Sequence, residues 1–287
     1  MPELELREWD QPGNPEDIEY ALIWAPPRGA LRRFPNLRAI FSIGAGIDHL
    51  ASDPDLPPGV PVVRMVEPGL TAGMSEFVVM SVLYHHRFMI EYAQQQRAHV
   101  WREIEQIPAR RRRVGIMGLG VLGGDAADKL CGFGFDVAGW SRSAKTRPGV
   151  TSFHGPGGLV PFLNRTDILV CLLPLTAQTE DILNAETLAA LPRGAAVISV
   201  GRGRQVVEED LLAALDSDHL SGATLDVFRT EPLPPDSPFW DHPKVVVTPH
   251  IASMTIAETA AEAVVENIRR IEAGQPPLHV VDLARGY

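Results

Sequence analysis

Arg113 to Arg142 reads RVGIMGLGVLGGDAADKLCGFGFDVAGWSR, and the fold follows from this stretch. Val114-Gly115-Ile116-Met117 is a short apolar run with the character of a buried strand. Gly118-Leu119-Gly120-Val121-Leu122-Gly123 comes next and runs into a helical stretch, Asp125 to Leu130. Phe135 to Trp140 is a second strand. Strand, glycine turn, helix and strand at the length of one βαβ crossover make a dinucleotide-binding fingerprint. Gly118 permits the tight turn, Gly120 lets the backbone approach a pyrophosphate, and Gly123 lets helix and strand pack closely. Past Val121 and Leu122 the helix N-terminus offers N–H groups and a positive dipole end to phosphates.

At 287 residues the chain is long enough for two domains with proper cores. It is 45% hydrophobic and 22% charged, the balance of a soluble globular protein. A formal net charge of −10 argues against a nucleic-acid or anionic-membrane surface. Arg110 to Arg113 are a local exception, read as a solvated linker before the strand, with a phosphate contact as the minor alternative. Cys131 and Cys171 have neither metal-ligand spacing nor a disulfide framework, so no metal is expected. The opening is too polar and acidic for a signal peptide, and no apolar run reaches membrane length, which points to the cytoplasm.

Ahead of the fingerprint, Leu4–Trp9, Ala21–Trp24, Leu37–Ile43 and Val60–Met65 read as four strands joined by short Pro- and Gly-rich connections. Helical character there is weak except near Gly29–Phe34 and after Gly46. From Thr71 onward Phe77, Met80, Tyr84 and Phe88 recur at helical spacing, predicting a long core helix that continues through Gln94–Gln96 toward Trp101. Behind the fingerprint, strands at Ile168–Leu173, Ala196–Val200, Ser221–Asp226 and Val245–Val247 alternate with helices at Gly158–Asn164, Asn184–Leu191 and Glu208–Leu215. That alternation predicts a doubly wound parallel sheet. A last helix opens on Thr255-Ile256-Ala257-Glu258, a capping-box pattern, and carries the apolar stripe Ile256, Ala260, Val264, Ile268 and Ile271.

Three segments of the second half place polar residues at strand ends. They are Ser199-Val200-Gly201-Arg202-Gly203, Leu225-Asp226-Val227-Phe228-Arg229-Thr230-Glu231-Pro232, and Val247-Thr248-Pro249-His250-Ile251. In a parallel sheet these ends share one crevice with Gly118–Gly123, so an arginine, a carboxylate and an imidazole can converge near a dinucleotide. Singly, each has a structural explanation: a solvated Arg, a Glu-Pro turn, a satisfied His. Jointly they fit hydride transfer, with a guanidinium fork for a carboxylate and an imidazolium raised in pKa by its carboxylate neighbour.

With Leu173-Pro174-Leu175-Thr176 and the glycine fingerprint, these segments resemble the D-2-hydroxyacid dehydrogenases, most closely their glyoxylate/hydroxypyruvate reductase A group. The resemblance runs nearly the whole chain, down to Val281-Asp282-Leu283-Ala284-Arg285-Gly286-Tyr287. It implies two Rossmann-like α/β domains: a flavodoxin-like substrate domain over 1–76 plus 262–287, and a dinucleotide-binding Rossmann domain over 77–261. It also implies Arg202, Glu231 and His250 as the catalytic set, Asp226 near the nicotinamide, and cofactor contacts at Leu173, Pro174, Val200 and Gly201. For the substrate it implies the backbone at Ala45 and Gly46, Arg202, and Trp24 beside the pocket. A homodimer built through the fingerprint domain belongs to the same expectation.

The family normally opens with a strand–helix unit ahead of the segment at Leu4–Trp9, and that unit is absent here. Either the chain starts later than its natural product or the small domain is rearranged. The second-strand residue that would be acidic in an NAD enzyme is Ser141, followed by Arg142, Ser143 and Lys145. Asp136 lies at the wrong end of that strand. Two cations and hydroxyls suit a 2′-phosphate, so NADPH is expected over NADH. The expected activity is reduction of a small 2-oxo acid, glyoxylate or hydroxypyruvate, to the D-2-hydroxy acid. A dinucleotide-sensing interaction protein on the same fold, or another 2-hydroxyacid specificity, is the alternative.

Overall fold

A computed structural model describes residues 1, 4–283, 285 and 286. The chain divides into two compact units, Met1–Leu70 with Thr255–Tyr287, and Thr71–Met254.

The first unit is built from both ends of the chain around a three-stranded parallel sheet in the order β1-β2-β3. Its strands are β1 (Tyr20–Ile23), β2 (Ala39–Ser42) and β3 (Val62–Val63), and α1 (Asp48–Ala51) follows the bend after β2. One face packs Ala21, Ile23, Ile40 and Val62 against Leu31, Phe34, Ile47, Leu50 and Val281. The other packs Ala39, Phe41 and Val63 against Ile268 of the C-terminal helix, α8 (Ala257–Glu272), with Val264 and Ile271 beside it. The C-terminal tail adds backbone bonds, Val281 N–H donating to Val62 O at 2.8 Å and Arg64 N–H to His279 O at 3.2 Å. Ala284 and Tyr287 of the motif at the chain's end lie outside the described residues.

Two expectations fail in this unit. Leu4–Trp9 forms no strand: its apolar–polar alternation has no ladder to join. Leu6 is 92% exposed, and Arg7 is drawn off by Glu5 and Asp17. Thr255 does not cap α8 either, because its hydroxyl donates to Ile43 O at 2.7 Å and Ile256 stands at the N-cap. The buried carboxylate of Glu67 stands at that terminus instead, accepting from Thr259 Oγ1 at 2.6 Å and Ile256 N–H at 3.5 Å, and from the amides of Gly69 and Leu70 at 2.5 and 2.6 Å. One carboxylate thus holds the first turns of both α8 and α2 (Pro68–His86), where free N–H groups favour negative charge.

The helix expected to reach Trp101 breaks at Phe88, whose φ is 59°, and α3 (Met89–Arg97) starts afresh. The buried face of α2 is Met74, Phe77, Val78 and Val82; Met80, expected in the core, is 54% exposed.

The second unit holds a seven-stranded, all-parallel sheet in the order β10-β9-β8-β7-β4-β5-β6. Its strands are β4 (Arg113–Met117), β5 (Asp136–Ser141), β6 (Val150–His154), β7 (Ile168–Cys171), β8 (Ala195–Ser199), β9 (Leu220–Leu225) and β10 (Val245–Val247). The helices are α4 (Val121–Gly132), α5 (Gly155–Asn164), α6 (Ala185–Ala189) and α7 (Glu208–Asp216). Alternation sorts each strand between two cores: Val114, Ile116, Ile168 and Val170 join α2 and α4 on one face. Met117, Leu169 and Cys171 join α5, α6 and α7 on the other. Both faces being covered explains why these strands read as unbroken apolar runs. Each such Ile or Leu side chain contributes about 1.5–3 kcal/mol. The chain winds outward from β4 to β6 and returns at β7, so the order reverses between β4 and β7, and the glycine turn lies at that switch point. Among the described residues, no helix is long and apolar enough to cross a membrane, and no group of His, Cys, Asp and Glu could hold a metal.

Candidate active site

The glycine turn is built as its sequence requires. Gly118 has φ of 101°, and a Cβ on Gly123 would stand 1.9 Å from Gly118 O. A Cβ on Gly120 would meet nothing within 4 Å, and no side chain caps α4 behind it. Open space over an uncapped helix N-terminus fits a dinucleotide pyrophosphate. At the carboxyl end of β5, Ser141 is buried and its hydroxyl donates to Ser143 O at 2.8 Å, which curls the loop; Arg142, Ser143 and Lys145 are exposed on it. Arg147 clamps the far side of this loop to Asp128 of α4 through two bonds of 2.6 Å. Asp136 pairs with Arg165 at the opposite end of β5.

The loops after β8, β9 and β10 bring the three expected catalytic residues into one neighbourhood. A Cβ on Gly203 would lie 1.8 Å from the carbonyl carbon of Phe228, so only glycine lets the Arg202 loop rest on the loop after β9. Glu231 Oε1 accepts from Phe228 N–H at 2.9 Å, and Glu231 Oε2 meets His250 Nδ1 at 2.7 Å. Nε2 of His250 has no hydrogen-bond partner among the described residues. The Glu231 hydrogen bond raises the His250 pKa against the opposing pull of burial and Arg202, with Asp226 adding a smaller upward push. Burial alone would raise the Glu231 carboxyl; its bonds to His250 and Phe228 and the His250 and Arg202 charges bring it below the usual range.

Asp226 is the organiser of this corner. Its buried carboxylate accepts from Thr248 Oγ1 at 2.6 Å, Ile251 N–H at 2.8 Å and Ala252 N–H at 2.9 Å, while its carbonyl takes His250 N–H at 2.8 Å. These bonds hold His250 at φ of 56°, a left-handed conformation that costs a side-chain-bearing residue roughly 1–2 kcal/mol. Leu173 and Pro174 follow β7, and Val200 and Gly201 follow β8, all at carboxyl ends of the sheet.

In the first unit, Trp24 follows β1 and is 50% exposed. Its ring meets that of His49 at a 52° tilt, 4.5 Å between centroids, and covers Gly44, where a Cβ would meet it at 2.4 Å. Ala45 and Gly46 form the half-buried bend between β2 and α1. Sequence reasoning missed Gln205, Thr248, Arg147 and Asp128. Thr248 lies inside the segment Val247–Ile251 without having been given a role, and the other three belong to no motif.

The family model for the NAD binding domain of D-isomer specific 2-hydroxyacid dehydrogenases matches residues 79–252. Glyoxylate/hydroxypyruvate reductase A of Yersinia enterocolitica is 42% identical over 292 residues, covering 100% of this chain and 93% of that protein. A D-isomer specific 2-hydroxyacid dehydrogenase of Xanthobacter autotrophicus, solved with NADPH and MES, is 49% identical with a TM-score of 0.94, covering 96% of this chain and 88% of that one. An NADPH-dependent glyoxylate/hydroxypyruvate reductase of Sinorhizobium meliloti, solved with NADP and sulfate, is 46% identical with a TM-score of 0.91, covering 94% and 87%.

Proposed function

The chain belongs to the D-isomer specific 2-hydroxyacid dehydrogenases, and on that premise we propose that it reduces glyoxylate or hydroxypyruvate to the D-2-hydroxy acid with NADPH. The observation that carries this reading is the 2.7 Å pair between His250 Nδ1 and Glu231 Oε2, in which Nδ1 donates, so that the imidazolium's transferable proton sits on Nε2. Gly118–Gly123 and the loop at Ser141, Arg142, Ser143 and Lys145 hold the cofactor, which supplies the hydride. Arg202 pairs with the carboxylate of the oxo acid and polarises its ketone oxygen. His250 gives the Nε2 proton to that oxygen as the carbonyl carbon is reduced, and Glu231 steadies the imidazolium beforehand. Asp226 holds the loop that aims the ring.

The reading includes a homodimer. The segment after α3 supports it, with Trp101 98% and Val100 47% exposed on the protein's surface. Following NADPH oxidation with glyoxylate, hydroxypyruvate and pyruvate tests the activity directly. Turnover with the first two is expected, and none with any of the three would refute the assignment.

A further inference from the structure

Gln205 is fully buried directly behind Arg202, and each polar atom of its amide is used. Its Nε2 donates to Leu173 O at 2.8 Å and to Pro174 O at 3.2 Å. Its Oε1 accepts from the backbone N–H of Arg202 at 2.9 Å and from Cys171 Sγ at 3.5 Å. Burial pushes the Cys171 thiol up to about 12, so it remains a neutral donor to the amide. The Gln205 N–H closes the turn by donating to Arg202 O at 3.1 Å. Gly201 leaves room for this arrangement, since a Cβ there would stand 2.3 Å from Gln205 Oε1 and 2.9 Å from Leu173 O. One amide therefore joins the Leu173–Pro174 turn after β7 to the backbone of Arg202 after β8. An apolar residue in its place would strand Leu173 O and the Arg202 N–H, while Pro174 O would keep its bond from Thr179 Oγ1.

We infer that Gln205 is a positioning residue that couples the two ligands: dinucleotide against Leu173 and Pro174 fixes Arg202 through this amide and so strengthens oxo-acid binding. The inference rests on Arg202 receiving the oxo acid and on the dinucleotide lying against Leu173 and Pro174, as the family resemblance implies. Coupling of this kind is reciprocal and shows as a change in one ligand's affinity when the other is present.

The test uses oxamate as a non-reducible 2-oxo acid mimic and 2′-phospho-ADP-ribose as the dinucleotide. The latter lacks nicotinamide, so it cannot strengthen oxamate binding by touching it. In the unmodified protein, saturating 2′-phospho-ADP-ribose should tighten oxamate binding at least threefold. In Gln205→Met that gain should fall below 1.5-fold, while binding of 2′-phospho-ADP-ribose alone stays within about threefold. Gln205→Asn keeps the amide but is one methylene too short to span from Arg202 N–H to Leu173 O, and should lose the gain as well. It decides the matter if the methionine variant does not fold. No gain in the unmodified protein, or an undiminished gain in the variants, overturns the inference. An Arg202→Met variant that binds oxamate normally would instead refute the role of Arg202, which separates the two failures.

Discussion

His250 is a histidine under three constraints: a left-handed backbone, a carboxylate on Nδ1, and an open Nε2. If it is the proton donor, His250→Gln should lower turnover about 100-fold or more, because a positioned acid contributes that order of rate. Near-normal turnover in single-turnover measurements would remove it from the mechanism. The raised pKa fixes the sign of the pH dependence. Reduction needs the imidazolium, so kcat/KM should be flat at low pH and fall as pH rises through a midpoint above the ordinary histidine value. Glu231→Gln removes the largest cause of that shift and should move the midpoint down; a profile unmoved by the substitution would contradict the pairing. That Arg202, Glu231 and His250 would share one neighbourhood was legible in the sequence because each follows an apolar run that ends in a loop. Gln205 was not, since a buried glutamine that bridges two loops leaves no periodic or motif signature in the chain.

Among the elements, the loop closing β5 is the one we propose to decide cofactor choice. It offers Arg142, Ser143 and Lys145 where an NAD enzyme holds an acid, and Arg147 fastens it to α4. Efficiency with NADPH should exceed that with NADH by about tenfold or more, roughly 1.4 kcal/mol. Arg142→Ala should erode the preference by weakening NADPH while sparing NADH; comparable kcat/KM for the two cofactors in the unmodified protein would sink the reading. The strands of the second unit were readable because both faces are apolar. The exception is β6, an edge strand whose Thr151, Ser152 and His154 are exposed, so no apolar run announces it. The break at Phe88 went unseen because neither glycine nor proline marks it. The box at Thr255 misled for the opposite reason: the local pattern was present, but Ile43 O claims the hydroxyl.

At the scale of the whole molecule, the proposed homodimer would have a sedimentation mass near twice 31.3 kDa at micromolar concentration. A stable monomer there would refute it. The two-unit division could be anticipated from the change of pattern near Thr71, whereas the exact crossings at 70/71 and 254/255 depend on contacts that no local stretch encodes.

The first unit's dependence on both chain ends has a consequence for biosynthesis. As the polypeptide leaves the ribosome, Ala39, Phe41 and Val63 emerge long before Ile268, which covers that face, and Val281 joins the opposite face later still. The second unit needs nothing beyond Met254 to complete its sheet, so it should fold while synthesis continues. The first seventy residues must meanwhile wait as an exposed apolar segment. A 71–254 fragment should therefore melt cooperatively on its own, and a 1–70 fragment should not. A cooperative transition in the shorter piece would show that the nascent chain has no such waiting period.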